Sequence, residues 1–480
     1  MPSKTLVMKF GGTSVGTPEA MADSVEIVRQ AYKDWPRLVV VTSALATVTN
    51  LLIDSAEKAV SGNTRLCFIN AEHLAQMHEA ISDALVSDLA RRAQVKQEIN
   101  HLIAEFTGLC QAIAVLGEAT PRALDAVGGL GERLSVRLLA AALESAGLAA
   151  QMVEATQLIV SDDCFQNAHP DFNATQAKTR QVLEPILARS QVPVVTGFIA
   201  ATPQGVTTTL GRGGSDYSAG ILGAVLPADQ VWIWTDVDGV MSADPRMVPN
   251  ARTIPEITYR EVAELAYFGA KVLHPKTIRP VVEAGIGLRI CNTFNPQNPG
   301  THLVADPVDT PKALQPSQKG IVKAVTAICG QRLVTVEGRG MLGVPGVAAR
   351  TFSAVASTGT SVPLITQASS EQSICFAVPA ESAAKVLEAL EKAFSLELAV
   401  RDIDRVWATD EVAIVTAVGA GMIHIPGIAG RIFSALGQQG VNIIAIAQGS
   451  SEVSISLVVK MSDVEQAVRA IHTLIANGEA

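Results

Sequence analysis

Three stretches of the chain combine a full charge with neighbouring glycines. They are Lys9-Phe10-Gly11-Gly12-Thr13-Ser14-Val15-Gly16, Leu210-Gly211-Arg212-Gly213-Gly214-Ser215-Asp216-Tyr217 and Phe268-Gly269-Ala270-Lys271-Val272-Leu273-His274-Pro275. A glycine turn that opens onto a helix offers free N–H groups and the positive end of the helix dipole, which together attract anions. Lys9 beside Gly11 and Gly12 therefore reads as a nucleotide phosphate site, with a plain strand–turn–helix junction as the alternative. The lysine precedes its glycines, so this is neither a Walker A loop nor a GxGxxG turn. Arg212 presents a planar fork that grips a carboxylate at two points. Asp216, one turn on, either caps the helix or positions a reacting group or a metal. Glu132 either complements a helix dipole or faces a ligand ammonium. Lys271 points into the same crevice or lies on the surface.

Strands and helices must place these groups. Leu6-Val7-Met8 and Leu38-Val39-Val40-Val41 are continuous apolar runs, as in strands buried on both faces. Between them, 19–32 has helical apolar spacing (Met21, Val25, Val28), with Thr13 and Ser14 as cap types. Strand, helix and strand make a βαβ unit and a parallel sheet. Small polar residues follow these strands, Thr42-Ser43-Ala44 with Thr49, where a crevice forms at strand carboxyl ends; Thr49 equally suits a helix cap. Residues 63–126 read as helical, and Gly128-Gly129-Leu130-Gly131-Glu132 leads into another helix. Val192 to Phe198 is a strand with Pro193 at its start. Thr207-Thr208-Thr209 precedes the arginine loop, with Ser215 as the expected helix cap. Val231 to Trp234 is a strand ending in Thr235-Asp236-Val237-Asp238-Gly239-Val240-Met241, followed by Asp244 and Arg246. Those acids lack the spacing and terminal glutamate of a calcium loop and fit a crevice loop near a nucleotide. Residues 261–266 are helical, a new helix starts near Lys276, and Ile286 to Asn292 is expected to be the last strand of this part.

The bulk composition narrows the function. At 480 residues two to four domains are expected. Net charge of −9 without a basic stripe argues against nucleic acid. No apolar run is expected to span a bilayer, and the N-terminus lacks a signal peptide's apolar region. Six scattered cysteines read as reduced, which points to the cytoplasm. The eight histidines form no metal motif, so no dedicated metal site is expected.

A polar, proline-rich stretch, Asp306 to Ser317, marks a boundary. Beyond it residues 340–378 align without gaps on 421–459, at a constant offset of 81. Pro345-Gly346 returns as Pro426-Gly427, and Gln367…Ser369-Ser370-Glu371 as Gln448…Ser450-Ser451-Glu452. Each copy reads as a βαββαβ-type module with a Pro-Gly loop before a helix.

Together these motifs resemble the aspartokinase family, over nearly the whole length. The fold this implies is an amino-acid-kinase-type α/β/α sandwich with a mainly parallel sheet (1–305), a linker (306–320), and two ferredoxin-like (ACT) α+β modules. The first module is 331–400; the second combines 321–330 with 401–480. The resemblance implies transfer of the ATP γ-phosphoryl to the side-chain carboxylate of L-aspartate, opening lysine, threonine and methionine synthesis. Lys9, Phe10, Gly11 and Gly12 would meet the ATP phosphates, with Mg2+. Arg212, Gly213, Gly214, Ser215, Glu132, Ser43 and Thr49 would hold aspartate, and Asp216 the reacting end. Thr235, Asp236, Met241, Arg246, Lys271 and Val272 would complete the nucleotide site; many relatives have tyrosine in place of Met241. Feedback by an end-product amino acid would act through Gln367, Gln448 and the two Pro-Gly loops, in a homodimer or larger homo-oligomer. Those glutamine segments look most like the regulatory part of aspartokinase–homoserine dehydrogenases, which favours threonine over lysine. The chain ends just past the second module, so no dehydrogenase half is expected. Two other readings stay open: a glutamate, acetylglutamate or UMP kinase of the same fold, and a non-catalytic amino-acid sensor.

Overall fold

The computed structural model of the chain describes residues 4–270, 273, 275–305, 321–367, 372–449 and 452–478. The expected linker, Lys271, Val272, His274, Ser369 to Glu371, Ser450 and Ser451 lie outside the described residues. The chain forms two compact units. One comprises Met1–Val240, Thr253–Tyr259 and Leu273–Ala305; the other comprises Met241–Arg252, Arg260–Val272 and Asp306–Ala480.

In the first unit the apolar runs become β1 (Thr5–Phe10) and β2 (Arg37–Thr42), joined through helix α1 (Pro18–Asp34). Helices α2 (Val48–Ala59), α3 (Arg65–Leu85), α4 (Leu89–Leu116), α5 (Pro121–Gly128) and α6 (Leu130–Ser145) follow. Then come β3 (Ala150–Val153), α7 (Phe172–Ala188), β4 (Val192–Thr196), β5 (Ile199–Ala201), β6 (Thr207–Thr209), α8 (Gly214–Val225) and β7 (Gln230–Thr235). The unit closes with β8 (Glu256–Thr258), α9 (Tyr259–Tyr267, which runs into the second unit), α10 (Pro275–Glu283), β9 (Gly287–Asn292) and β10 (Thr301–Val304).

Eight strands form one sheet in the order β3-β4-β2-β1-β7-β9-β10-β8. Every neighbouring pair is parallel except β9 with β10. Helices α1, α3, α4 and α6 pack together on one group of contacts, and α7, α8 and α10 on another, which makes an α/β/α sandwich. Leu6, Met8, Phe10, Leu38 and Val40 are fully buried in its core. The sheet's register brings Lys9 beside Val41 and Ile233, so several strands end at one level.

Several local expectations change. α1 is capped by Thr17, whose side chain accepts from Ala20 N–H, so 11–17 is a loop and Thr13 and Ser14 are not caps. Gly213, left-handed at φ 68°, precedes α8 in place of Ser215, because only a glycine turns that sharply without strain. Pro193 is the second residue of β4, paired with Gln151. β9 is not the last strand: β10 and β8 extend the sheet beyond it as four- and three-residue strands, too short to show a period. α4 also corrects the membrane expectation. Its 28 residues include a window of mean hydropathy 1.4, so by length and composition it could cross a bilayer. Its apolar face, including Ile99, Ile103, Phe106, Cys110 and Ile113, joins the core instead.

The second unit is built on one seven-stranded antiparallel sheet. Its strands are β11 (Ala324–Glu337), β12 (Leu364–Gln367), β13 (Ser373–Pro379), β14 (Arg405–Ala408), β15 (Val412–Val418), β16 (Ala445–Gln448) and β17 (Ser454–Lys460). The path is β12-β13-β11-β15-β17-β16, with β14 on β11. The long β11 serves both repeats: its first half pairs β15, its second half β13 and β14. Helices α11 (Val347–Ser357), α12 (Ala383–Ala393) and α13 (Ser395–Val400) belong to one repeat, α14 (Ile428–Gln438) and α15 (Val464–Asn477) to the other.

Two short segments assigned above to the kinase part are counted in this unit. Ala243 and Val248 sit in the core formed by Val325, Leu457 and Ile471. Ser242 accepts Val325 N–H at 2.9 Å through its carbonyl and meets His472 Nε2 at 2.9 Å through its hydroxyl. Glu261, fully buried, bonds Lys323 Nζ at 3.0 Å and accepts Ala420 N–H at 2.6 Å.

Candidate active site

The carboxyl ends of β1 and β2 and the start of α8 border a cleft of about 570 Å3 in the first unit. Its lining unites Lys9, Gly12, Ser43, Thr49, Glu132, Arg212, Gly213, Gly214, Ser215 and Asp216. These residues span more than 200 positions of sequence, and the parallel register is what gathers them.

Lys9 is the penultimate residue of β1 and nearly buried. Its Nζ lies 2.6 Å from Asp216 Oδ1 in the first turn of α8. A buried ammonium needs such a partner, and an incoming phosphate would compete for it. Gly12 lies where chain segments touch: a Cβ there would sit 2.9 Å from the Ala44 carbonyl oxygen. Gly11 N–H donates to the Trp234 carbonyl at 3.1 Å, continuing the sheet ladder. That proton is therefore spent, and Gly12 is the glycine left to meet a phosphate. Phe10 is fully buried and stacks on Trp234 at 6.1 Å, so its side chain belongs to the core rather than to a nucleotide.

Glu132 enters the cleft from the first turn of α6 and is 3% exposed. One carboxylate oxygen accepts Ala44 N–H at 3.1 Å; the other is buried with no hydrogen-bond partner among the described residues. Burial pushes its pKa up to about 8, against the opposing pull of the Ala44 N–H and the Lys9 charge. An acid held in this state is poised to ionise when a cation arrives. Arg212 rides on a loop between two left-handed glycines, Gly211 (φ 79°) and Gly213 (φ 68°). Its side chain is exposed, and among the described residues it makes no ion pair. Thr49 lies within the first turn of α2, after Thr47, and faces the cleft rather than capping the helix.

Asp125 gives no sign of its role in the sequence, where it sits inside an ordinary helical stretch. It is 1% exposed and lines the same cleft. Its carboxylate accepts Thr209 N–H at 2.9 Å, Thr209 Oγ1–H at 2.7 Å and Gln166 N–H at 3.0 Å. Burial raises its pKa, and these donors counter the rise. Thr209 is the last residue of β6 and leads directly into the Arg212 loop, so Asp125 anchors that loop. Phe198, at φ 64°, packs against Gly214 so closely that a Cβ on the glycine would meet its ring at 2.6 Å.

Among the described residues, the other expected nucleotide contacts Thr235, Asp236, Met241 and Arg246 are not in this cleft's lining. Thr235 and Asp236 follow one another at the end of β7, where Thr235 Oγ1 donates to Asp236 at 3.2 Å. Met241 and Arg246 belong to the second unit, where Arg246 is exposed and paired with Asp244. Among the described residues no group of three His, Cys, Asp or Glu could hold a metal ion. In the second unit, Gly346 and Gly427 are the left-handed residues that begin α11 and α14, directly after Pro345 and Pro426. Gln367 and Gln448 are exposed at the ends of β12 and β16.

The Amino acid kinase family profile matches residues 4–292, and the ACT domain profile matches 334–394 and 415–474. The chain is 39% identical over 473 residues to the bifunctional aspartokinase/homoserine dehydrogenase 1 of Arabidopsis thaliana, covering 97% of this chain and 50% of that one. It thus spans about half the length of the bifunctional relatives it matches. Aspartokinase 1 of the same plant is 32% identical, with 97% of this chain and 79% of that one covered. Escherichia coli aspartokinase III, solved with aspartate and ADP, superposes with a TM-score of 0.78 at 31% identity, covering 98% and 99% of the two chains. The same enzyme with lysine and aspartate gives 0.77. On these matches the chain belongs to the aspartokinase family, an amino acid kinase domain joined to ACT domains.

Proposed function

We propose that this chain phosphorylates the side-chain carboxylate of L-aspartate with ATP, giving 4-phospho-L-aspartate and ADP. The observation that carries the reading is one cleft holding a guanidinium with no ion pair among the described residues, a buried carboxylate with a spare oxygen, and a lysine. An amino acid has the complementary charges: its α-carboxylate suits Arg212 and its ammonium suits Glu132. Its side-chain carboxylate is then left for the Lys9–Asp216 end. Aspartokinase III was solved with aspartate and ADP, which supports both substrates.

The carboxylate is already a nucleophile, so no general base is needed. A side-chain oxygen forms a bond to the γ-phosphorus while the bond to the β–γ bridging oxygen breaks, and ADP leaves. Lys9 and the N–H groups at Gly12 and the start of α8 offset the phosphoryl charge. Asp216 holds Lys9 until the phosphate takes its place. When bound, Mg2+ neutralises phosphate charge; the nucleotide's own phosphates and Asp216 are the groups suited to hold it. Thr235, Asp236, Met241, Arg246, Lys271 and Val272 are assigned to the nucleotide by resemblance.

The reaction would open lysine, threonine and methionine synthesis. Feedback would act through the Pro-Gly loops, Gln367 and Gln448 of a homo-oligomer, with threonine as the first choice of effector. Lysine is the second, and it was bound in aspartokinase III. ADP release measured with L-aspartate, L-glutamate, N-acetyl-L-glutamate and UMP tests the substrate. Turnover is expected with L-aspartate alone, and a preference for any other acceptor would overturn the assignment.

A further inference from the structure

Strands β1, β7 and β9 are neighbours in the sheet, and their register sets Lys9, Ile233 and Ile290 side by side. Their exit loops are neighbours too: the glycine turn after β1, residues 235–240 after β7 and residues 292–298 after β9. The third loop is tied to both of the others. Thr293 is fully buried; its N–H donates to the Thr235 carbonyl at 2.9 Å and its hydroxyl to Ser14 Oγ at 2.7 Å. Ser14, also fully buried, closes the glycine turn through its N–H to the Gly11 carbonyl at 3.0 Å.

Asp238 is gripped from the same segment. Asn292 Nδ2 donates to its Oδ1 at 2.7 Å. Asn295 Nδ2 donates to Oδ1 at 3.1 Å and to Oδ2 at 3.2 Å. Asn292 Oδ1 accepts Phe294 N–H at 2.9 Å, so this amide is fixed at both ends. An ionised carboxylate only accepts and an amide nitrogen only donates. Two amides therefore hold Asp238 without adding charge to the loop. Neither Asp238 nor Asn292 nor Asn295 belongs to the lining of the aspartate cleft.

We propose that Asn292 and Asn295, acting through Asp238, are positioning residues for the nucleotide. They hold the loop that carries Thr235 and Asp236 in the shape that receives it, and Thr293 sets that loop against the turn beside Lys9. This role rests on the reading of that loop as part of the ATP site. The grip comes from 54 and 57 residues further along the chain, on a strand that touches no substrate in the reading above. Its loss should therefore weaken the nucleotide and spare aspartate.

Calorimetric titration of the full chain with magnesium and AMP-PNP, a non-hydrolysable ATP analogue, tests it with no acceptor present. Asn292→Asp sets a second carboxylate against Asp238; the two repel, and affinity for the analogue should fall about tenfold or more. Exchanging the pair, Asn292→Asp with Asp238→Asn, restores one donor and one acceptor and keeps the acceptor for Phe294 N–H. Affinity should then return to within about threefold of the parent's. Asn295 is exposed, so Asn295→Ala keeps the fold even if Asn292→Asp does not, and it should weaken the analogue by about threefold or more. The KM for aspartate should stay within about twofold throughout. An analogue affinity that the exchange fails to restore would overturn the role. So would a lowered melting temperature with affinity unchanged, which marks a merely structural grip. Parent and variants binding the analogue equally would overturn this role alone; no uptake by the parent would overturn the ATP reading and this role with it.

Discussion

Glu132 carries a prediction that depends on its protonation. Its folded pKa of about 8 stands above the ordinary 4.5, so the free protein holds the proton at neutral pH. The sign for folding follows: this group's contribution to stability is full below pH 4.5 and is lost as pH rises towards 8. An ammonium beside the spare oxygen favours the ionised form, so binding L-aspartate should release a proton. Its affinity should rise with pH by up to about tenfold per unit and level off above 8. Calorimetry in buffers of different ionisation heat reads the proton directly. Glu132→Gln should abolish both the release and the slope, and persistence of either would remove Glu132 from the ammonium site. Lys9→Ala should lower kcat by roughly two to three orders of magnitude, as loss of a charge that meets the transferred phosphoryl does; near-normal turnover would contradict its role. These groups were legible in the sequence because charge beside glycine is a local signal. The sheet claims the ring of Phe10 and the N–H of Gly11, which only β7, more than 200 residues away, reveals.

Among the elements, the loop between β6 and α8 depends on Asp125. Its partners Gln166 and Thr209 lie 41 and 84 residues away, so no local pattern announces it. Asp125→Ala should leave three donors unmet and loosen the Arg212 loop. The KM for aspartate should rise about tenfold while that for ATP moves less than about twofold, and Asp125→Asn should recover part of the loss. A purely structural role would instead lower the melting temperature with both KM values unmoved. The long apolar strands were readable because parallel strands are buried on both faces. β8 and β10 were not, since strands of three or four residues have no period. The true caps, Thr17 and Gly213, were displaced from the expected ones because loop geometry, not residue type, decides where a helix begins.

For the chain as a whole, the repeat at an offset of 81 was visible as sequence identity. What it hid is that one strand, β11, serves both copies. It also hid that the short segments 241–252 and 260–270 are built into the second unit. Ser242–His472 and Glu261–Lys323 hold them there through partners 62 to 230 residues distant. Titrating the kinase reaction with threonine and lysine separately should show inhibition by threonine at the lower concentration. A response to lysine alone would reverse that order of preference.

The proposed pairing of the Arg212 guanidinium with the α-carboxylate of aspartate is tested most directly by steady-state kinetics of Arg212→Ala, with each substrate varied in turn. Losing a bidentate charge-assisted contact should raise the KM for aspartate by about a hundredfold and leave that for ATP within about threefold. Equal effects on the two substrates, or none, would contradict the aspartate cleft.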